Sequence, residues 1–316
     1  MAIVNSDFLT GVMTNFRLAF DNALFDAARN AAPWMELARE VPSTTDTENH
    51  SWLGTVPKMV DTTQRDLEVS NLLAFNYAIT NKTWKAGFEV ERSTFEDDRL
   101  NMIPPKITQL AEEAARHPGE LIMTLPDDNG LAFDGVAWTG DTRVIGASAN
   151  IDNNKASLGS GTTIAGFQAD LGAARALLRT FQDDKGRPMN SVGNVVMVPP
   201  SLEQVAYQAL VIAFPAAAPT ASNVVPATTD GVIRVNGYSI YVNPFLTAGG
   251  ANDWYLMAVD GSRKPFVYQT RIAPALEGIT TPTTETGIIR DRFVYTARAR
   301  YNVGYGDPRL VVKIVN

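Results

Sequence analysis

The sequence predicts an α+β protein whose longest elements exceed what a compact domain needs. Three observations carry that reading. Residues 289–303 alternate apolar and polar side chains over a run roughly three times the length of a common strand. Three segments, 6–32, 104–125 and 164–181, carry apolar residues at helical spacing. The stretch 190–270 sets strand-like runs around Asn236-Gly237 and Asp260-Gly261, dipeptides that favour tight hairpins.

The chain has 316 residues, 45% hydrophobic and 19% charged, enough for one large or two modest cores. Its 27 basic and 34 acidic residues leave a net charge of −7, whereas tight duplex binding by counterion release needs clustered Lys and Arg. There is no cysteine, which excludes disulfides, thiolate nucleophiles and Cys-ligated zinc. With His50 and His117 the only histidines, a polyhistidine metal centre is nearly excluded and no cofactor is expected. The start lacks a basic n-region and places Asp7 where a signal peptide's apolar core would begin. "VAYQALVIAFPAAAP" is interrupted by Gln208 and Pro215 and is too short to span a bilayer, so no membrane contact is expected.

Residues 6–32 read as one amphipathic helix, with Phe8, Val12, Phe16, Ala19, Phe20 and Leu24 at helical spacing after a cap at Asn5 or Ser6. Pro33 and Trp34 follow it, and "VPSTTDTENH" (41–50) is a polar connector. The helix therefore has freedom either to pack on its own domain or to dock on a partner. Residues 51–91 read as an extended β ribbon. In "TWKAGFEVE", Trp84, Ala86, Phe88 and Val90 alternate with Lys85, Gly87, Glu89 and Glu91. "SWLGTVPKMV" is the expected pairing strand and "DTTQRDLEVSN" the exposed tip. Such a ribbon is marginal alone and needs a surface to lie on.

"PPKITQLAEEAARHPGELIMTL" (104–125) opens with prolines where a first helical turn accepts them. Ile107, Leu110, Ala111, Ala114, Leu121, Ile122 and Leu125 keep one face, while Pro118 predicts a kink or break near His117. Residues 140–163 read as a long Gly/Ser/Asn-rich loop. A helix follows, with Ile164, Phe167, Leu171, Leu178 and Phe181 on one stripe. The block 190–270 reads as an α/β unit of its own. "NVVMVPPSLEQVAYQAL" runs from strand into helix, and "GVIRVNGYSIYV" and "DWYLMAVDGSRKPFVYQ" read as hairpins. In the terminal run Phe293, Tyr295, Ala297, Ala299, Tyr301 and Val303 form an apolar face across roughly 50 Å, opposite Arg290, Arg292, Arg298 and Arg300. Gly304 to Pro308 reads as a turn that sends "RLVVKIV" back as the second strand of a hairpin.

No motif assembles an active site. Gly304-x-Gly306 lacks the third glycine and following helix of a dinucleotide loop, and "GSGTT" (159–163) lacks the lysine of a phosphate loop. "DDNGLAFDG" (127–135) lacks EF-hand spacing and reads as a turn. Glu89 and Glu91 sit about 6.5–7 Å apart on one strand face, near the separation of an inverting glycosidase pair, but every i, i+2 strand pair has that spacing. A carbohydrate-active enzyme is thus the alternative from another class. The last 30 residues carry six basic and two acidic side chains, the first 100 nine and fifteen. That asymmetry favours subunit–subunit contact over a nucleic-acid grip. The candidate contact residues are Phe8, Phe16, Phe20, Lys58, Arg65, Trp84, Lys85, Arg290, Arg292, Arg298 and Arg300.

The amphipathic start, the helix "AEEAARHPGELI", the "NGLAFDG" turn, "DWYLMAVDGSRKPFVYQ" and above all "YTARARYNVGYGDPRL" resemble the major head subunit of Mu-like tailed bacteriophages and prophages. The likeness runs over most of the chain and departs locally at "VAWTGDTR" after Asp134-Gly135. It implies the tailed-phage major capsid fold of the Hong Kong 97 type. Residues 1–50 would be the N-terminal arm, 51–91 the E-loop, and 92–185 with 267–316 the peripheral domain around a spine helix, 104–125. Residues 186–266 would be the axial domain. It further implies pentamers and hexamers of this chain closing an icosahedral head around double-stranded DNA, which is touched weakly and without sequence preference. The arm's short lead into the E-loop implies a separate scaffold protein; portal and decoration proteins are the other implied partners. The virion is the implied location, with assembly in the host cytoplasm. Some relatives of the fold crosslink lysine to asparagine; Lys58, Lys82 and Lys85 are available, but no acceptor motif accompanies them. An encapsulin-like compartment shell shares the fold and is the alternative among structural proteins.

Overall fold

The computed structural model describes residues 6–31, 33–53, 74–91, 93, 103–158, 161–211, 232–246, 252–259, 263–279 and 290–316. Its helices are α1 (Ser6–Ala31), α2 (Trp34–Leu37), α3 (Ile103–Asp128), α4 (Ile164–Thr180) and α5 (Glu203–Val211). Its strands are β1 (Ala38–Pro42), β2 (Thr47–Leu53), β3 (Ala74–Thr80), β4 (Lys82–Glu91), β5 (Asn154–Ala156) and β6 (Val195–Val198). They continue as β7 (Val232–Val235), β8 (Tyr238–Val242), β9 (Trp254–Met257), β10 (Phe266–Ile279), β11 (Arg292–Tyr305) and β12 (Val311–Val315). One sheet has the order β1-β10-β11-β4, a second β5-β12-β9-β6-β8-β7, and β2 pairs with β3 alone.

The predicted alternation of the C-terminal run is realised in β11. Phe293, Tyr295, Ala297, Ala299 and Tyr301 are buried while the residues between them are half-buried. Ile103, Ile107, Leu110 and Ala111 of α3 pack on this face, and Met13, Phe16 and Phe20 of α1 close its far end. Phe16 meets Tyr295 edge-on at 5.6 Å. Of the two placements open to this helix, packing on its own chain is the one seen: Phe16 and Phe20 are both buried in the apolar trough that α3 and β11 leave. Phe8 lies in α1, but its side chain is outside the described residues, as are Lys58 and Arg65.

Helix α3 runs unbroken through His117-Pro118, so of the kink or break expected there the break does not occur. Pro118 is itself buried, as are Ile107, Leu110, Ile122 and Leu125 on either side, and that packing outweighs a proline cost of about 3 kcal/mol. Gly119 then admits Trp34 so closely that a β-carbon there would sit 2.6 Å from the indole Cδ1.

Three expected strand pairings are rearranged. β4 pairs with β11, from Lys82 opposite Tyr301 to Glu91 opposite Arg292, while Ser51–Leu53 pair with β3. The reason is that Trp84, Phe88 and Val90 extend the apolar face of β11. β9 and β10 are not a hairpin: β9 lies between β12 and β6, and β10 between β1 and β11. All four residues of β9 are buried, which demands a sheet covered on both faces, whereas β10 has an exposed side. β11 and β12 separate for the same reason, β12 pairing with β9 and β5.

Gly304 and Gly306 are therefore close-approach glycines and not turn glycines. A β-carbon at Gly304 would lie 2.7 Å from Ile79 Cδ1, and one at Gly306 would overlap the Lys264 carbonyl. The hairpin signal at Asn236-Gly237 is realised between β7 and β8, with both residues at positive φ, 49° and 80°. Such a pair matches the twist of a two-residue hairpin.

The six-stranded sheet is covered on both faces. Val195 and Met197 of β6 point into a core with Trp138, Tyr255 and Phe266, and Val196 and Val198 into one with Phe167, Leu178 and Trp254. Segment 186–266 is thus not closed by itself: it shares its sheet with β5 and β12 and a core with α4. The "VAWTGDTR" stretch anchors the junction between the two sheets. Trp138 is fully buried with ring centroids 4.8 Å from Phe266 and 5.7 Å from Tyr305. Arg143, also buried, donates to Asp134 Oδ2 and to the Ala137 carbonyl, both at 2.6 Å. Asn153 donates to the carbonyls of Trp138 and Pro308, so residues 140–153 are a pinned loop.

Phe20→Ala is expected to destabilise the unassembled chain by about 3–5 kcal/mol in chemical denaturation. A loss seen only in assembled particles would place that ring on a neighbour instead.

Candidate subunit-contact site

Ala297 and Ala299 are the two small residues on the buried face of β11, between Tyr295 and Tyr301. Ala86 and Trp84 stand opposite them on β4, and Ala114 and His117 of α3 complete a cavity of about 200 Å³. Three sequence candidates, Trp84, Lys85 and Arg298, line it. Trp84 donates its Nε1–H to the Tyr301 carbonyl at 3.0 Å, and its ring lies 4.4 Å from His117. The Tyr301 hydroxyl is 2.7 Å from His117 Nδ1. Burial pushes the Tyr301 phenol up and the His117 imidazole down, the latter against the raising pull of Glu120 and Glu113. Both shifts favour the uncharged forms, so a phenol and a neutral imidazole share this hydrogen bond.

The arginines occupy the other face of the same strand, and their own chain answers most of them. Arg292 pairs with Glu89 and lies 3.6 Å from Glu91, Arg298 lies 3.8 Å from Glu277, and Arg300 binds Asp46 at 2.7 Å. The terminal charge asymmetry therefore does not by itself call for a neighbour. Exposed pairs of this kind contribute about 0–1 kcal/mol each, and mainly orient the side chains. Glu89 and Glu91 both face the guanidinium of Arg292, so this carboxylate pair is answered within its own sheet. Arg290 is exposed beside Asp291, which has φ 50°. Lys85 stands directly across from Arg298, a like-charge pair that costs stability unless an anion answers it.

A polar latch ties the β2–β3 ribbon to the sheet. Glu48 accepts from the Thr44 and Thr45 amides at 2.7 and 2.9 Å, and these bonds pull its carboxyl down to about 2. Asn81 donates to Ser43 Oγ, and Gln269, fully buried, donates to Asn81 and the Ile79 carbonyl. Its Oε1 is 2.7 Å from His50 Nε2. No local pattern announces Asp46, Gln269 or the His117–Tyr301 contact, because each partner lies far away in sequence.

A long strand sheet under a spine-like helix, a two-strand ribbon at its edge and a second sheet covered on both faces define a tailed-phage capsid subunit. The chain superposes on the procapsid protein of bacteriophage JBD30 with a TM-score of 0.56 at 21% identity, covering 99% of this chain and 76% of that one. It matches the capsid protein of cyanophage P-SCSP1u with a TM-score of 0.55 at 9% identity, covering 88% and 85%. These likenesses show the fold. The family described as "Mu-like prophage major head subunit gpT" matches residues 9–166 and 227–314, and the chain belongs to it. A Mu-like prophage FluMu major head subunit from Haemophilus influenzae is 24% identical over 308 residues, 97% of this chain and 72% of that protein. The major capsid protein of Escherichia phage Mu is 30% identical over 126 residues, 40% of each chain. The chain is accordingly a structural subunit of a phage head, which sets the encapsulin alternative aside.

His117 gives the groove a pH dependence. Its folded value is depressed, so the unfolded chain binds the extra proton more readily and stability rises with pH. Stability is expected to fall as pH drops below 6.5, and His117→Gln to flatten that slope in thermal unfolding.

Proposed function

We propose that this subunit builds the head wall as rings of five and six copies, joined head to tail, around double-stranded DNA, and that its role is geometric and not catalytic. A body whose left and right sides differ makes heterologous contacts, which close into rings. The observation that carries the reading is the family match over 9–166 and 227–314 in a chain with the procapsid fold. In this scheme residues 1–50 are the arm, the segment around β2 and β3 within 51–91 the E-loop, and α3 the spine of the peripheral domain. The axial domain is 186–266, extended by the strands β5 and β12 that share its sheet.

Trp84, Lys85, Arg290 and Arg298 remain contact candidates, Phe16, Phe20, Arg292 and Arg300 are engaged within the chain, and the side chains of Phe8, Lys58 and Arg65 lie outside the described residues. A separate scaffold protein, a portal protein and a decoration protein are the proposed partners. The JBD30 capsid also occurs decorated with minor capsid protein trimers, which supports the last of these. DNA contact is weak and non-specific, since the arginine face is largely paired internally. No described helix is long and apolar enough to cross a membrane; assembly is assigned to the host cytoplasm and the product to the virion.

Negative-stain imaging of the purified chain with its scaffold is expected to show rings and closed shells, and the chain alone irregular ones. A small oligomer at every concentration would overturn the reading. Lys85→Glu, which relieves the cross-strand repulsion with Arg298, is expected to leave the fold intact and reduce shell yield.

A further inference from the structure

A second hollow, of about 410 Å³, lies at the base of the ribbon, lined by Arg39, His50, Tyr77, Arg263, Lys264 and Tyr305 among others. We propose that it receives a carboxylate side chain from a neighbouring copy of this chain. Three fixed cations line it, and no carboxylate does among the described residues. Arg39 has no ion-pair partner among them either, because its neighbour Glu40 alternates to the other side of β1 and reaches Thr270 at 3.4 Å. Arg263 approaches Asp307 only to 3.7 Å, and Asp307 is already held by Arg309 through two bonds of 2.9 and 2.8 Å. Lys264 spends one ammonium proton on the Val259 carbonyl at 2.7 Å, leaving two. Cations gathered in a recess with low-dielectric walls focus a field that favours an anion.

The occupant follows from shape and supply. Phosphates of a duplex are fixed on a rigid rod, whereas an Asp or Glu side chain reaches into a recess between ribbon and body. The chain carries a net charge of −7, and Asp21, Asp26 and Glu112 are exposed with no ion-pair partner among the described residues. Resting on the shell reading above, the concentrated source of free carboxylates next to each hollow is the adjacent subunit. An acid seated there would fix the ribbon relative to the sheet, since the same hollow is bounded by β1, β2, β3 and the start of β10.

The test uses shells of the wild-type chain as starting material, so failure of the hollow leaves the shell reading standing. Arg39→Glu, at a residue with no ion-pair partner among the described residues, is expected to raise the concentration at which shells first form by about tenfold. Unfolding of the unassembled chain should be unchanged, and Arg39→Lys should restore assembly. Carbodiimide treatment of shells should join Lys264 to a carboxylate of another copy, seen by mass spectrometry and absent from unassembled chain. Wild-type assembly by Arg39→Glu, or crosslinks confined within one chain, would overturn the proposal. So would normal shells that lose only their DNA, an outcome that assigns the hollow to phosphate.

Discussion

A strand buried on one face and paired along both edges cannot slip by one residue without turning its whole apolar set into solvent. β11 is fourteen residues long, and it is under that constraint from Val294 to Tyr301, where β10 flanks it on one side and β4 on the other. Its register fixes where Tyr295 and Tyr301 stand, and these fix the helices: Phe16 of α1 packs on Tyr295, and His117 of α3 bonds Tyr301. The arginines on the opposite face have their positions set by the same alternation. One strand therefore decides what is core, what is groove and what is offered outward.

The two sheets are joined around 263–266 and 305–311. Both passages are crowded. Gly306 exists because the Lys264 carbonyl occupies the space of a side chain, and Asp307, fully buried, is held by Arg309. A buried pair of this kind is costly to break, because the survivor is left charged in a poor solvent. Trp138 and Tyr305 fill the remaining space, with the Tyr305 hydroxyl bonded between the Gly130 amide and the Leu125 carbonyl. The junction is thus rigid by construction.

What the sequence disclosed was periodicity, and what it withheld was partnership. The alternation of Phe293 to Tyr301 and the stripes of α1, α3 and α4 were legible because each is a local repeat with one physical meaning. The Asn236-Gly237 turn was legible because two left-handed residues leave few alternatives. The pairings of β4, β9 and β12 were not, since an apolar run states that it will be covered and not by what. Proline at 118 does not end its helix, because its local cost is overruled by the burial of residues on either side. Glycines 304 and 306 misled because a turn and a close approach ask for the same residue. Of the contact site, Trp84 and the arginines were visible as pattern, while Asp46, His117 and Gln269 act through contacts that no sequence spacing encodes.

The covered trough and the paired arginines change how assembly should be pictured. A subunit that satisfies Phe16, Phe20 and most of its arginine stripe internally needs no neighbour to cover those parts. Among the described residues it leaves outward single large apolar side chains, Leu18, Leu131, Val144 and Leu158 among them, and Lys85 facing Arg298. Scattered residues of this kind give weak contacts one at a time. In a closed wall every copy makes several of them at once, and each contact already formed raises the effective concentration for the next. Weak individual contacts then suffice for a stable shell, and they let a misplaced subunit leave before the wall closes over it.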